Sequence, residues 1–314
     1  MTTTRILAIA ALAATLTLTA CSSKSEEPAP TPTATNAAAS DHAHARGDGT
    51  ISAIQGVTLE LGTQTIAAGK STDITFKITR GGETITDFVE SHTKKMHVVI
   101  VREDLTGYQH LHPVMAADGI WTLPVKFATG GNYHIVSDFK ITEGALDVNY
   151  VLGTDVIVDG EQTAPVALPA PADRIEVDGF VISISGALPA TEHGMLMATV
   201  TKDGVPVTFE EYLGTTGHLV AIREGDLAYA HMHPSGHDHG SAETETISDG
   251  ATATSEMETE MGTQESTESA MDHSMPGMIH FDTEFPTGAG TYKFFFQFQV
   301  EGKVHTAEFV AIVG

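Results

Sequence analysis

Part of this chain is written twice, and that duplication constrains its fold more than any other feature. Lys95-Met-His97-Val-Val-Ile-Val-Arg102 matches Thr216-Gly-His218-Leu-Val-Ala-Ile-Arg223. Tyr108-Gln-His110-Leu-His112-Pro113 matches Tyr229-Ala-His231-Met-His233-Pro234. From His97 to Pro113 the offset is a constant 121 positions. The match resumes between Gly131-Asn-Tyr133-His-Ile-Val-Ser-Asp-Phe139 and Gly290-Thr-Tyr292-Lys-Phe-Phe-Phe-Gln-Phe298, now at offset 159. A chain of 314 residues has room for two units of roughly 100–150 residues each. The repeat sets them at 49–160 and 173–314, with the Pro-containing stretch 161–172 as linker.

The units read as β. Residues 72–79 alternate apolar and polar with period two, and Arg80-Gly-Gly-Glu83 and Lys202-Asp-Gly-Val205 are turn signals. Met96 to Val101 and His218 to Ile222 are apolar on both faces, as in a central strand. Tyr292, Phe294, Phe296 and Phe298 share one face of a late strand. Met195 and Met197 share a face of another and are expected in the core, whereas His134, which becomes Lys293 in the second copy, is expected at the surface. The fold class is all-β: two tandem antiparallel β-sandwich modules of immunoglobulin or cupredoxin-like type, with about seven short strands each.

The two copies differ mainly by an insertion. Five residues separate Pro113 from Gly119, and forty-two separate their counterparts Pro234 and Gly277. The inserted stretch 235–276 lacks Lys and Arg, is rich in Glu, Thr and Ser, and is expected to be disordered.

Residues 1–20 form a signal peptide, with an apolar region too short to span a bilayer. Its end, Leu18-Thr19-Ala20-Cys21, resembles the bacterial lipobox, in which Cys21 becomes the lipidated first residue of the mature chain. Residues 21–48, rich in Ala, Pro, Thr and Ser, then form a flexible tether. The expected partner is therefore a bacterial membrane, reached through Cys21 from its extracytoplasmic side. As the chain has one cysteine, an intrachain disulfide and any zinc site of several thiolates are excluded. A net charge of -25 argues against nucleic acid and is compatible with cations.

The chain has 16 His and 11 Met, and their spacing carries the chemistry. Residues two apart on a strand project together, so His110 with His112, and His231 with His233, can chelate one ion per pair. His97 and His218, from neighbouring strands, could each supply a third nitrogen; a framework role for these histidines is the alternative reading. All-nitrogen sites suit Cu(II) or Zn(II). The insertion adds His237, His239, Met257, Met261, Met271, His273 and Met275, with Met278 just beyond it. Thioether sulfur favours Cu(I), which these methionines are expected to take.

Asp272-His-Ser-Met-Pro-Gly-Met278 resembles the Asp-His-Ser-x-Met-x-x-Met repeats of bacterial periplasmic copper-resistance proteins, although it lacks the residue between Ser and Met and occurs once. Met96-His97-Val98-Val99, Asp104-Leu-Thr-Gly-Tyr108, His110-Leu-His112-Pro113 and Asp118-Gly119 resemble bacterial secreted or lipid-anchored proteins with His-Leu-His-Pro sandwich domains. In layout these are similar to cupredoxin-like copper-handling proteins. A blue-copper site needs a Cys thiolate and is excluded, because Cys21 is taken by the anchor.

Three functions follow, in order. The first is a non-enzymatic copper-binding lipoprotein, zinc being the alternative ion, that sequesters the metal or delivers it to another extracytoplasmic metal-handling protein. The second is a structural or interaction lipoprotein whose histidines are framework. The third is a superoxide dismutase-like copper enzyme, ranked last because a bridging His and a ligand Asp are not visible in the sequence.

Overall fold

The computed structural model describes residues 45–62, 65–234, 275–285 and 287–314. Cys21, the signal peptide and most of the tether fall outside these residues, as do His237, His239, Met257, Met261, Met271, His273 and all but the last two residues of the 235–276 stretch expected to be disordered. Among the described residues every regular element is a β-strand.

In the first sandwich, one sheet contains β1 (Ala53–Ile54), β2 (Val57–Leu61), β4 (Ser71–Arg80), β9 (Trp121–Lys126) and β8 (Val114–Met115) in that order, with β5 (Glu83–Thr84) paired to β4. The facing sheet runs β3 (Ile66–Ala67), β11 (Leu146–Asp159), β10 (Gly131–Glu143), β6 (His97–Arg102) and β7 (Gln109–Leu111). The second sandwich repeats the plan. β12 (Arg174–Val177), β13 (Phe180–Ala187), β14 (Gly194–Lys202) and β15 (Val205–Pro206) form one sheet, with β18 (Met278–Thr283) on β14. Its partner runs β17 (Tyr229–Met232), β16 (His218–Arg223), β19 (Gly290–Val300) and β20 (Lys303–Val313). All ladders between these strands are antiparallel except β3 with β11. The structure has eleven strands and then nine where about seven each are expected, the excess being mostly two-residue ladders.

Each sandwich closes on its own core. Ile74, Phe76 and Ile78 from β4 meet Val98 and Ile100 from β6, and Trp121 lies against Phe88 edge to face. In the second, Tyr292, Phe294, Phe296 and Phe298 face inward together as their spacing predicts. Met195 and Met197 are a correction. The inward residues of β14 are Leu196, Ala198 and Val200, so the methionines point outward and Met195 is 53% exposed.

β6 is buried at all six positions and β16 at its first five. The reason is a third core. Val99 and Val101 from β6, with Leu105, Val136 and Val151, pack on Val220 and Ile222 from β16, together with Tyr229 and Phe295. Tyr108 stacks flat on Phe295 with ring centroids 3.9 Å apart. The unbroken apolar runs thus bury one face in their own sandwich and the other in its neighbour.

The two ends of the insertion approach each other, since Pro234 forms an antiparallel bridge with Phe281. Deleting residues 236–274 and closing the gap with a short Gly/Ser linker should therefore leave the thermal midpoint within a few degrees of the parent. Loop closure costs only about 0.6 kcal/mol per doubling of length. A fall of more than ten degrees would mean that the insertion packs against the sandwiches.

Candidate metal centre

Register explains how the histidines meet. His110 lies opposite Val99 across β6 and β7, and His97 lies opposite Asp138 across β6 and β10. Directly opposed residues share a sheet face, as do residues two apart on one strand. His97, Val99, His110, His112 and Asp138 therefore all face the third core, while Leu111 turns into the first. The second sandwich repeats this arrangement. Val220 lies opposite both His231 and Phe295, and His218 opposite Gln297. Met232 turns into its own core.

Two triads result. His97 Nδ1 lies 3.1 Å from His110 Nε2 and 3.2 Å from His112 Nε2. His218 Nδ1 lies 3.2 Å from His231 Nε2, and the His233 ring is 4.3 Å from that of His231. In each triad one nitrogen per ring falls within 4.8 Å of the others. The triads also face each other, with ring centroids of His97 and His231 5.2 Å apart and of His110 and His218 5.7 Å apart. His92 stacks on His233 at 3.6 Å.

The outer nitrogens fix the tautomers. His97 Nε2 is 3.1 Å from the Ser91 carbonyl, and His218 Nε2 is 3.1 Å from the Tyr212 carbonyl. A carbonyl only accepts, so each Nε2 carries the proton and each Nδ1 is left with a lone pair. His110 Nδ1 donates to Gln297 Oε1 at 2.8 Å, and Gln297 Nε2 lies 3.3 Å from Thr306 Oγ1. His231 Nδ1 sits 3.4 Å from Asp138 Oδ2, which also accepts from the Tyr229 hydroxyl at 3.3 Å. In both triads two lone pairs then point at each other across little more than 3 Å with no proton between them. That contact is repulsive unless a cation sits there. His233 Nε2 is likewise buried without a hydrogen-bond partner.

Burial keeps the rings neutral, the form that ligates metal. It pulls His110 down to about 4 and His112 to about 3, with repulsion from neighbouring imidazoles adding to the shift. His218, His231 and His233 are lowered by burial first and their neighbours second, and His97 is lowered by burial against the pull of Asp138. Burial raises Asp138. In each triad three neutral imidazoles, two of them with the outer N–H held by a carbonyl, amide or carboxylate oxygen, make a donor set expected of a zinc or copper site.

Of the residues singled out in the sequence, His97, His110 and His112 come together, as do His218, His231 and His233. Met275 is exposed in a turn, and Met278 opens β18. Asp138, Gln297 and His92 are additions. Asp138 and Gln297 occupy corresponding positions and support opposite triads, one through a carboxylate and the other through an amide, and their register opposite His97 and His218 was the available signal. His134 is a correction. It is buried, with Nδ1 2.6 Å from Asp155 and Nε2 2.7 Å from the Gly49 carbonyl. Its counterpart Lys293 is buried too, donating to the Leu105 carbonyl at 2.9 Å and pairing with Glu308. Both sit on the strand face that meets the other sandwich.

No curated protein matches the sequence. Among solved structures, a DUF4785 family protein from Legionella pneumophila aligns at 9% identity and TM-score 0.26, over 81% of this chain and 46% of that one. A putative membrane anchored protein from Corynebacterium diphtheriae aligns at 14% identity and TM-score 0.21, over 83% and 57%. The chain thus spans about half the length of each, and similarity at these scores carries no argument about function. A family model covers most of the chain, at residues 52–155 and 175–314. The chain belongs to the family described as Domain of unknown function (DUF8832).

Proposed function

We propose that this protein is an extracytoplasmic, lipid-anchored metal-binding protein that holds copper between its two sandwiches, for sequestration or delivery rather than catalysis. The observation that carries the reading is the pair of facing triads whose inner lone pairs converge while the outer nitrogens of His97, His110, His218 and His231 are already engaged. A histidine framework with no ion would place a proton donor opposite each acceptor. Copper is favoured over zinc because the same chain carries the Met/His segment around Met271, His273, Met275 and Met278, which suits Cu(I). The anchor reading rests on the lipobox at Cys21. Among the described residues no helix is long and apolar enough to cross a membrane. In a delivery role the partner is another extracytoplasmic protein with copper ligands.

The test is titration of the full chain with Cu(II) and Zn(II), followed by desalting and metal analysis. Two equivalents per chain should be retained, and His110→Ala with His231→Ala should abolish retention of both. If the parent retains none, the histidines are framework and the structural reading stands. If the double variant retains both ions, the site lies elsewhere.

A further inference from the structure

The second sandwich presents a face that the histidine centre does not use. β14 and β18 are adjacent antiparallel strands, and their register sets Met195 opposite Asp282, Met197 opposite His280 and Thr199 opposite Met278. The alternate residues Leu196, Ala198, Val200, Ile279 and Phe281 fill the core. Met195, Met197, Met278 and His280 therefore share the outward face. Met195 is exposed and the other three are half-buried. None of the three methionines belongs to the core or packs against it, so core filling does not account for them.

The backbone at this face is well held. Met275 to Met278 forms a turn closed by the Met278 N–H donating to the Met275 carbonyl at 3.0 Å. Pro276 and Gly277 occupy its central positions, and Gly277 has φ +75°, the arrangement of a type II turn. A Cβ on Gly277 would come within 2.6 Å of the Val200 carbonyl, so the turn lies directly on β14. Met278 thus starts its strand in a fixed position.

Directly opposed residues on antiparallel strands have Cβ atoms about 4.5–5.5 Å apart, and diagonal neighbours about 7–8 Å. Met197 is opposite His280 and diagonal to Met278. Two thioethers and an imidazole at those separations can close on one ion. We propose that Met197, Met278 and His280, flanked by Met195, form a surface site for a soft monovalent cation, Cu(I) by its ligand chemistry. Neutral sulfur donors select soft d10 ions over hard divalent ones. The site is separate from the histidine triads and does not rest on them.

The probe is Ag(I), a redox-silent soft cation, added to the full chain labelled with 13C at the methionine methyl groups. At one equivalent the Met197 and Met278 methyl signals and the His280 ring signals should shift together. Met197→Leu keeps the volume of an outward-facing side chain and should weaken the Met278 response at least tenfold with an unchanged circular dichroism spectrum. The proposal is overturned if Met197 and Met278 stay fixed while Met257, Met261 and Met271 shift, or if Met197→Leu leaves the Met278 response as it was. Neither result touches the retention of Cu(II) by the triads.

Discussion

Lowering the pH of the metal-free protein from 7 to 5 should cost it several kcal/mol of stability. The cause is the set of buried imidazoles. In the unfolded chain each histidine titrates near 6.5, whereas in the fold His110 waits until about 4 and His112 until about 3. Between those values the unfolded chain binds more protons than the native one, so stability is full above about 6.5 and is lost as pH falls. A fully buried group of this kind contributes about 1.4 kcal/mol per pH unit, and the half-buried His112 contributes less because solvent screens it. The other four histidines of the two triads are lowered in the same direction. Asp138, raised by burial, works in the opposite sense. Urea unfolding at pH 7, 6 and 5 measures the slope. A dependence no steeper than one proton's worth would mean that these rings do not enter the native state neutral. Metal should raise the whole curve without flattening it, because the native rings are already neutral in this range and the unfolded chain still takes up the same protons.

Phe295→Ala should destabilise the protein by about 3–5 kcal/mol, the usual cost of removing a buried Phe side chain. It should also separate two unfolding events that coincide in the parent. Phe295 is fully buried in the third core and carries the stacked Tyr108 ring. Its loss leaves the first and second cores intact. The chain has one tryptophan, Trp121, inside the first sandwich. Trp fluorescence therefore follows the first sandwich alone, and circular dichroism follows both. Coincident transitions in the parent and separated ones in the variant would show that the third core couples the halves. If the variant still unfolds in one transition at the parental midpoint, the sandwiches are held together by something other than this cluster.

The sandwich class was legible because strands with one solvent face alternate, as β4 does at Ile74, Phe76 and Ile78. The repeat identified six histidines because duplicated motifs align without any knowledge of contacts. The meeting of the two copies was hidden. The doubly apolar runs of β6 and β16 announced burial on both faces, but burial between the sheets of one sandwich and burial against a second sandwich have the same local signature. For that reason His134 read as a surface residue; Met195 and Met197 read as core because apolar side chains two apart mark one face of a strand without saying which face points inward. Asp138 and Gln297 were legible only through register, because each serves a histidine about ninety or more positions away.

The crossed contacts, Asp138 to His231 and Gln297 to His110, have the form of an isologous dimer written into one polypeptide. In a true homodimer the two-fold axis would force the same residue behind both centres. Fusing the copies removes that obligation. One position can hold a carboxylate and its mate an amide, so the two centres can carry different charge while sharing one scaffold.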